Sequence, residues 1–160
     1  MRSFAMAILF ASAVALVNSA LGGGVKEHVD AIKASGKPVV FAVDDHEYTC
    51  SSCEPPVKVR INTNAKVTGH SEYDELQVAV RSPTNIEVVE ELNGKHQAYY
   101  NYTVSADGKT LNVAWSDWSG PKIVKGGYTA TRVGPAPPGA HAASGSWKIE
   151  KTMEDKSYNK

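Results

Sequence analysis

From Val39 onward the apolar positions of the chain recur every second residue instead of every three or four. In "ELQVAV" this sets Leu76, Val78 and Val80 on one side; in "TLNVAW" it does the same for Leu111, Val113 and Trp115, with Asn112 and Ala114 between them. Successive side chains of a β-strand point to opposite faces, so the pattern predicts strands with one face on a core and one toward water. Turn residues separate the runs: Ser82-Pro83-Thr84-Asn85, Asn93-Gly94-Lys95 and Ala106-Asp107-Gly108-Lys109. Asn-Gly and Asp-Gly supply the positive φ of tight hairpin turns, and short connections make neighbouring strands antiparallel.

The pattern gives strands over residues 25–31, 39–43, 57–61, 75–80, 86–92, 97–105, 110–116 and 127–133, with a ninth over 146–152. Their spacing is near the roughly 8–12 residues of an all-β barrel or sandwich, and a meander that closes into a barrel removes its exposed edges. The first segment is ambiguous. "VKEHVDAIKASG" reads as a strand before a Ser35-Gly36 turn, or as a short helix with Val25, Val29 and Ile32 on one face and Gly36 as its stop.

The chain before this segment changes the picture of where the protein works. Arg2 precedes "FAMAILFASAVALV", which breaks at Asn18-Ser19-Ala20 and the glycines after it. A basic start, an apolar run shorter than the ~20 residues of a membrane span and a small-residue zone form the pattern of a secretory signal peptide. Residues 1–20 are therefore expected to be a signal peptide and residues 21–133 a β-barrel domain. Residues 134–145 read as a Pro/Gly/Ala-rich linker, "RVGPAPPGAHAASG" being the most turn-rich stretch, and residues 146–160 as a terminal Gly-x-Trp strand. The mature protein is expected to be secreted or periplasmic and not to span a membrane. With 17 basic and 17 acidic residues and no block of one sign, neither nucleic acid nor a charged membrane surface is suggested as a partner.

Compartment decides what the two cysteines, Cys50 and Cys53 in "EYTCSSCEPP", can be. A redox Cys-x-x-Cys needs a helix N-terminus to stabilise its thiolate, and Pro55-Pro56 disfavours that helix. A metal would need the two sulfurs plus two more ligands such as His46 and His70, which would have to converge across strands. The third reading is a local disulfide of an oxidising compartment, pinning a loop between two strands. The other histidines, His28, His96 and His141, form no ligand cluster, and no catalytic triad motif or phosphate loop is present. No cofactor is expected. Glu87, Glu90 and Glu91 share one strand; they read either as a cavity acid or base, or as the solvent side of the barrel, which is favoured. Asn101-Tyr102-Thr103 has the form of a glycosylation sequon.

The aromatics point furthest toward function. Tyr100 and Tyr102 share a strand face, Tyr99 takes the other, Trp115 and Trp118 straddle a strand end, and Tyr128 lies on the next strand. Tyr100, Tyr102, Trp115 and Tyr128 directed inward would line a site for a small apolar ligand, unless they only fill the core.

Five stretches carry a resemblance: "EYTCSSCEPP", "VTGHSEYDELQVAV", "TVSADGKTLNV", "TATRVGPAPPGAHAASGSWK" and "KSYN". Together they resemble a family of secreted bacterial proteins built from repeated lipocalin-like β units. Its elements are a Gly-x-Trp strand, a Gly-Lys-Pro hairpin, a Tyr-x-Cys loop, a Tyr-Asp before a strand and a Ser-x-Asp-Gly-Lys hairpin. The resemblance implies a lipocalin-like barrel and contributes little on activity. It favours a strand over residues 25–31. It also implies that Gly145-Ser146-Trp147 either completes the barrel or opens a truncated second unit. The expectation is thus a secreted, non-enzymatic β-barrel that binds a small apolar ligand. An interaction module of the cell envelope is the alternative, followed by a metal- or redox-binding protein using Cys50, Cys53, His46 and His70.

Overall fold

The computed structural model describes residues 24–156, so the expected signal peptide and the end of the chain beyond Lys156 lie outside the described residues. One helix, α1 (Val25–Ser35), precedes ten strands: β1 (Val39–Val43), β2 (Glu47–Cys50), β3 (Val57–Arg60), β4 (Ala65–Lys66), β5 (Glu75–Ser82), β6 (Asn85–Leu92), β7 (Lys95–Val104), β8 (Thr110–Asp117), β9 (Val124–Gly134) and β10 (Gly145–Glu154). The strands form one antiparallel sheet in the order β3-β2-β1-β10-β9-β8-β7-β6-β5-β4. It is a meander, except that β10 enters between β1 and β9, with Trp147 opposite both Val39 and Arg132. The edge strands β3 and β4 meet through the turn that joins them, where the Asn62 N–H donates to the Val78 carbonyl of β5. The sheet is thereby nearly closed into a barrel, and the all-β fold is as the two-residue period predicts.

Three elements differ from the sequence expectation. Residues 25–31 belong to a helix, not to a strand. Val25 and Val29, four residues apart, turn one face of α1 into the barrel core. Gly36 ends the helix in the left-handed region (φ 67°), donating its N–H to the Lys33 carbonyl. The helix start has no cap of its own, because residue 24 is glycine; the Val25 N–H is instead bonded at 2.8 Å to Asp117 Oδ2, 92 residues away. Strands β2 and β4 have no counterpart in the period-two pattern. At four and two residues they are too short to display an alternation, and pairing with β1, β3 and β5 defines them.

Antiparallel alternation sorts the connections onto two ends. One end carries the turns β1–β2, β3–β4, β5–β6 and β7–β8 together with residues 135–144, which join β9 to β10. This end is tied shut. The Arg132 guanidinium donates to the carbonyls of Gly108, Ser144, Ala142 and Gly134 and stacks 4.1 Å above the Trp147 ring. His141 donates its backbone N–H to Val43 and its Nε2–H to the Ser82 carbonyl, while its Nδ1 accepts the Ala143 N–H. The Pro-rich stretch is thus tied to the barrel by its backbone carbonyls, and Ala143 and Ser144 are fully buried. The other end carries α1, the β2–β3 loop with the cysteines, the 67–74 loop, the Asn93-Gly94 hairpin and the β8–β9 loop.

Candidate functional site in the barrel interior

Register determines what faces inward. Glu90 of β6 stands opposite Leu76 and Ala98, and Ala98 opposite Asp117, which forms a row at the α1 end. The next row inward is Val78, Val88, Tyr100, Trp115 and Gly126; the one beyond contains Ile86, Tyr102, Val113 and Tyr128. All four residues expected to line a site, Tyr100, Tyr102, Trp115 and Tyr128, therefore share the inward face. Tyr99 takes the outer face, donating to Glu87.

The rings form a continuous lining. Tyr48, Phe41, Tyr102 and Tyr100 follow one another at centroid separations of 6.1, 5.5 and 6.1 Å. Phe41 comes from β1 and Tyr48 from β2, the strands across the barrel from β7. Tyr73, from the 67–74 loop, is stacked on His70 at 4.5 Å and reaches the same interior. Trp115 spreads over Gly126, where any side chain would run into its ring; beside it, outside the ring of tyrosines, a cleft of about 300 Å³ lies between Lys26, Val29 and Asp30 of α1 and Thr152, Met153 and Glu154 of β10.

Several polar groups inside lack protein partners. No side-chain hydrogen bond among the described residues involves the hydroxyl of Tyr48, Tyr73 or Tyr100, or the carboxyl of Glu90. Those three tyrosines are 7 %, 9 % and 9 % exposed. Yet the one side-chain nitrogen or oxygen among the described residues that is both sealed from water and unpaired is Trp115 Nε1. Leaving three hydroxyls dry would cost about 1–3 kcal/mol each, against a typical net stability of about 5–15 kcal/mol. The hydroxyls accordingly face space that water-sized molecules reach.

Glu90 is the charged member of this lining. The favoured expectation, that Glu87, Glu90 and Glu91 all lie on the solvent side, holds for two of them. Glu87 pairs with Arg81 at 2.7 Å and Glu91 with His96 at 3.4 Å on the outer face. Glu90 points inward and is half-buried. Desolvation chiefly, then repulsion from Glu72 and Asp117, pushes its carboxyl up to about 8. After burial, the main cause, its charge adds to the raised titration of Tyr48, Tyr73, Tyr100 and Tyr102, on β2, the 67–74 loop and β7. Burial raises all of these phenols, so they stay neutral donors and acceptors at physiological pH.

Cys50 and Cys53 form a disulfide. Linked sulfurs offer no thiolate, which removes the two soft ligands from the metal reading. His46 lies in the β1–β2 turn at the opposite end from His70, so these two do not come together either, and no group of three metal-binding side chains occurs among the described residues. The disulfide loop instead abuts the loop carrying Tyr73: Pro55 packs against Gly69, whose φ of 84° and closeness to the proline ring both demand glycine.

A second concavity, about 340 Å³, lies on the outer face between β7, β8, β9 and β10, over Gly126 and Gly127. Asn101 and Thr103 of the sequon line it, and Asn101 is already engaged with Asn85, Tyr99 and Thr103.

Comparison with protein-family models, curated proteins and solved structures finds no match to this chain.

Proposed function

We propose that this protein is a secreted, non-enzymatic binding protein that holds a small ligand of mainly apolar surface inside its β-barrel. The observation that carries this reading is the aromatic lining of the interior, where the hydroxyls of Tyr48, Tyr73 and Tyr100 find no partner among the described residues. Apolar walls with a few convergent polar groups are the usual composition of a small-molecule site. Tyr48, Phe41, Tyr100, Tyr102, Trp115 and Tyr128 provide the walls, and Tyr73 and Glu90 lie at the α1 end. The Cys50–Cys53 loop, through Pro55 and Gly69, helps to form that mouth. A disulfide that takes up every cysteine of the chain fits an oxidising compartment outside the cytosol.

Titration with the neutral dye N-phenyl-1-naphthylamine, followed by native mass spectrometry of the saturated protein, tests the proposal. The expected result is one saturable site, energy transfer from Trp115, and a mass increase of one dye that disappears on denaturation. Dye fluorescence that rises without saturation, with no retained mass, would overturn it.

A further inference from the structure

We propose that the cleft between α1 and the end of β10 is a second small-molecule site, one that takes an uncharged molecule with an apolar body and a carbonyl-type acceptor, and that the Trp115 Nε1–H is its donor. Two independent observations meet there: a concavity of about 300 Å³ outside the ring of tyrosines, and, in its lining, an indole with an unused hydrogen bond. Trp115 is 4 % exposed, and its Nε1 is the one side-chain nitrogen or oxygen among the described residues that is sealed from water without a partner. Trp147 shows the ordinary arrangement, its Nε1–H donating to the Ala143 carbonyl at 2.8 Å. A donor kept dry and unpaired is costly, and a ligand that brings it an acceptor removes that cost.

The surroundings of the indole set the class of ligand. Its Cε2–Cζ2 edge, next to Nε1, runs along Gly126, which pairs with Glu154 of β10. Val29, Gly127 and Met153 supply the apolar part of the lining. A buried water makes about three hydrogen bonds, which apolar side chains do not offer, whereas a single acceptor on an apolar body needs only the one. Met153 is the part of the lining that can yield: it is unbranched, 43 % exposed, and its Cε rests against Gly127, so that swinging it aside opens the way to the indole. The charges around the cleft favour a neutral occupant. Lys26 and Lys156 stand with Asp30 and Glu154, two of each sign, and Lys26 is held 2.9 Å from Asp30 and 3.4 Å from Glu154. An ion of either sign would compete with that pairing, and an uncharged molecule leaves it intact.

The test pairs 2-acetylnaphthalene with 2-isopropenylnaphthalene, which has the same shape and a methylene in place of the carbonyl oxygen, and follows the indole N–H signals of the ¹⁵N-labelled protein by NMR. Trp118→Phe, at an exposed position, and the contact of Trp147 with Ala143 leave the third indole signal to Trp115, so the readout does not depend on the folding of a core variant. The expected result is that the ketone moves the Trp115 N–H signal downfield together with the amides of Val29 and Met153, binds about tenfold more tightly than the alkene, and loses that advantage in Trp115→Phe. A Trp115 signal that stays in place at saturating ketone would overturn the assignment, and so would equal affinity for ketone and alkene. Neither result would touch the tyrosine-lined interior site, which the dye titration reads separately.

Discussion

Glu90 is one carboxyl on a strand with three, and its position inside the barrel controls how stability responds to pH. Its ordinary value of 4.5 rises to about 8 in the folded protein. Between those values the folded chain holds a proton that the unfolded chain has released. Stability is therefore highest below the ordinary value and falls as pH rises toward 8. Each tenfold difference in proton affinity between the folded and unfolded chain is worth about 1.36 kcal/mol, and water reaching the half-buried carboxyl reduces the full effect. Glu90→Gln, which has no charge to bury, should stabilise the protein by about 2 kcal/mol at pH 9 and change little at pH 5. Urea denaturation at the two pH values measures this, and parallel losses in both proteins would contradict it. The inward position was legible in the sequence, since Glu90 has the parity of Ile86 and Val88. The charge of Glu87 and Glu91 beside it suggested solvent, and a carboxylate in an apolar row breaks the usual pattern of apolar inward positions.

At the scale of elements, α1 illustrates a cap that no local sequence can reveal. The first helical N–H groups need acceptors, and the side chain that usually supplies one is absent at Gly24. Asp117 fills the role from the end of β8, with its Oδ1 held by the Ser119 N–H and hydroxyl. Gly24 must be glycine for the same reason, because any side chain there would run into the Asp117 carboxylate. The negative charge also lies at the positive end of the helix dipole. Asp117→Ala is expected to cost about 1–2 kcal/mol, and amides of residues 25–35 should exchange faster in hydrogen–deuterium exchange while β6 and β7 stay protected. Equal protection of α1 in both proteins would show that burial of Val25 and Val29 alone holds it. The period-two strands were readable because each pairs locally through a tight turn, as at Asn93-Gly94, where both φ angles are positive (52° and 75°). β2, β4 and the helical state of residues 25–35 depend on partners distant in sequence, which a local pattern does not contain.

For the whole molecule, closure is what turns a set of strands into one enclosed core. β10 brings Trp147 and Ile149 between β1 and β9, and the 135–144 stretch closes the end nearest them through Arg132 and His141. The aromatic set Tyr100, Tyr102, Trp115 and Tyr128 could be read from strand parity. Tyr48, Tyr73 and Phe41 could not be assigned to the same core, because only the nearly closed barrel brings β1, β2 and the 67–74 loop across from β7.

Glu90 reports on that closure, since burial, with repulsion from Glu72 of the 67–74 loop and Asp117 of β8, raises its titration. The decisive measurement is a pH titration of the Glu side-chain carboxyl ¹³C signals by NMR, with Glu90 assigned through Glu90→Gln. A carboxyl titrating near 8 is the predicted result. One titrating near 4.5, like a carboxylate in water, would place Glu90 outside the barrel interior and contradict the account of the site.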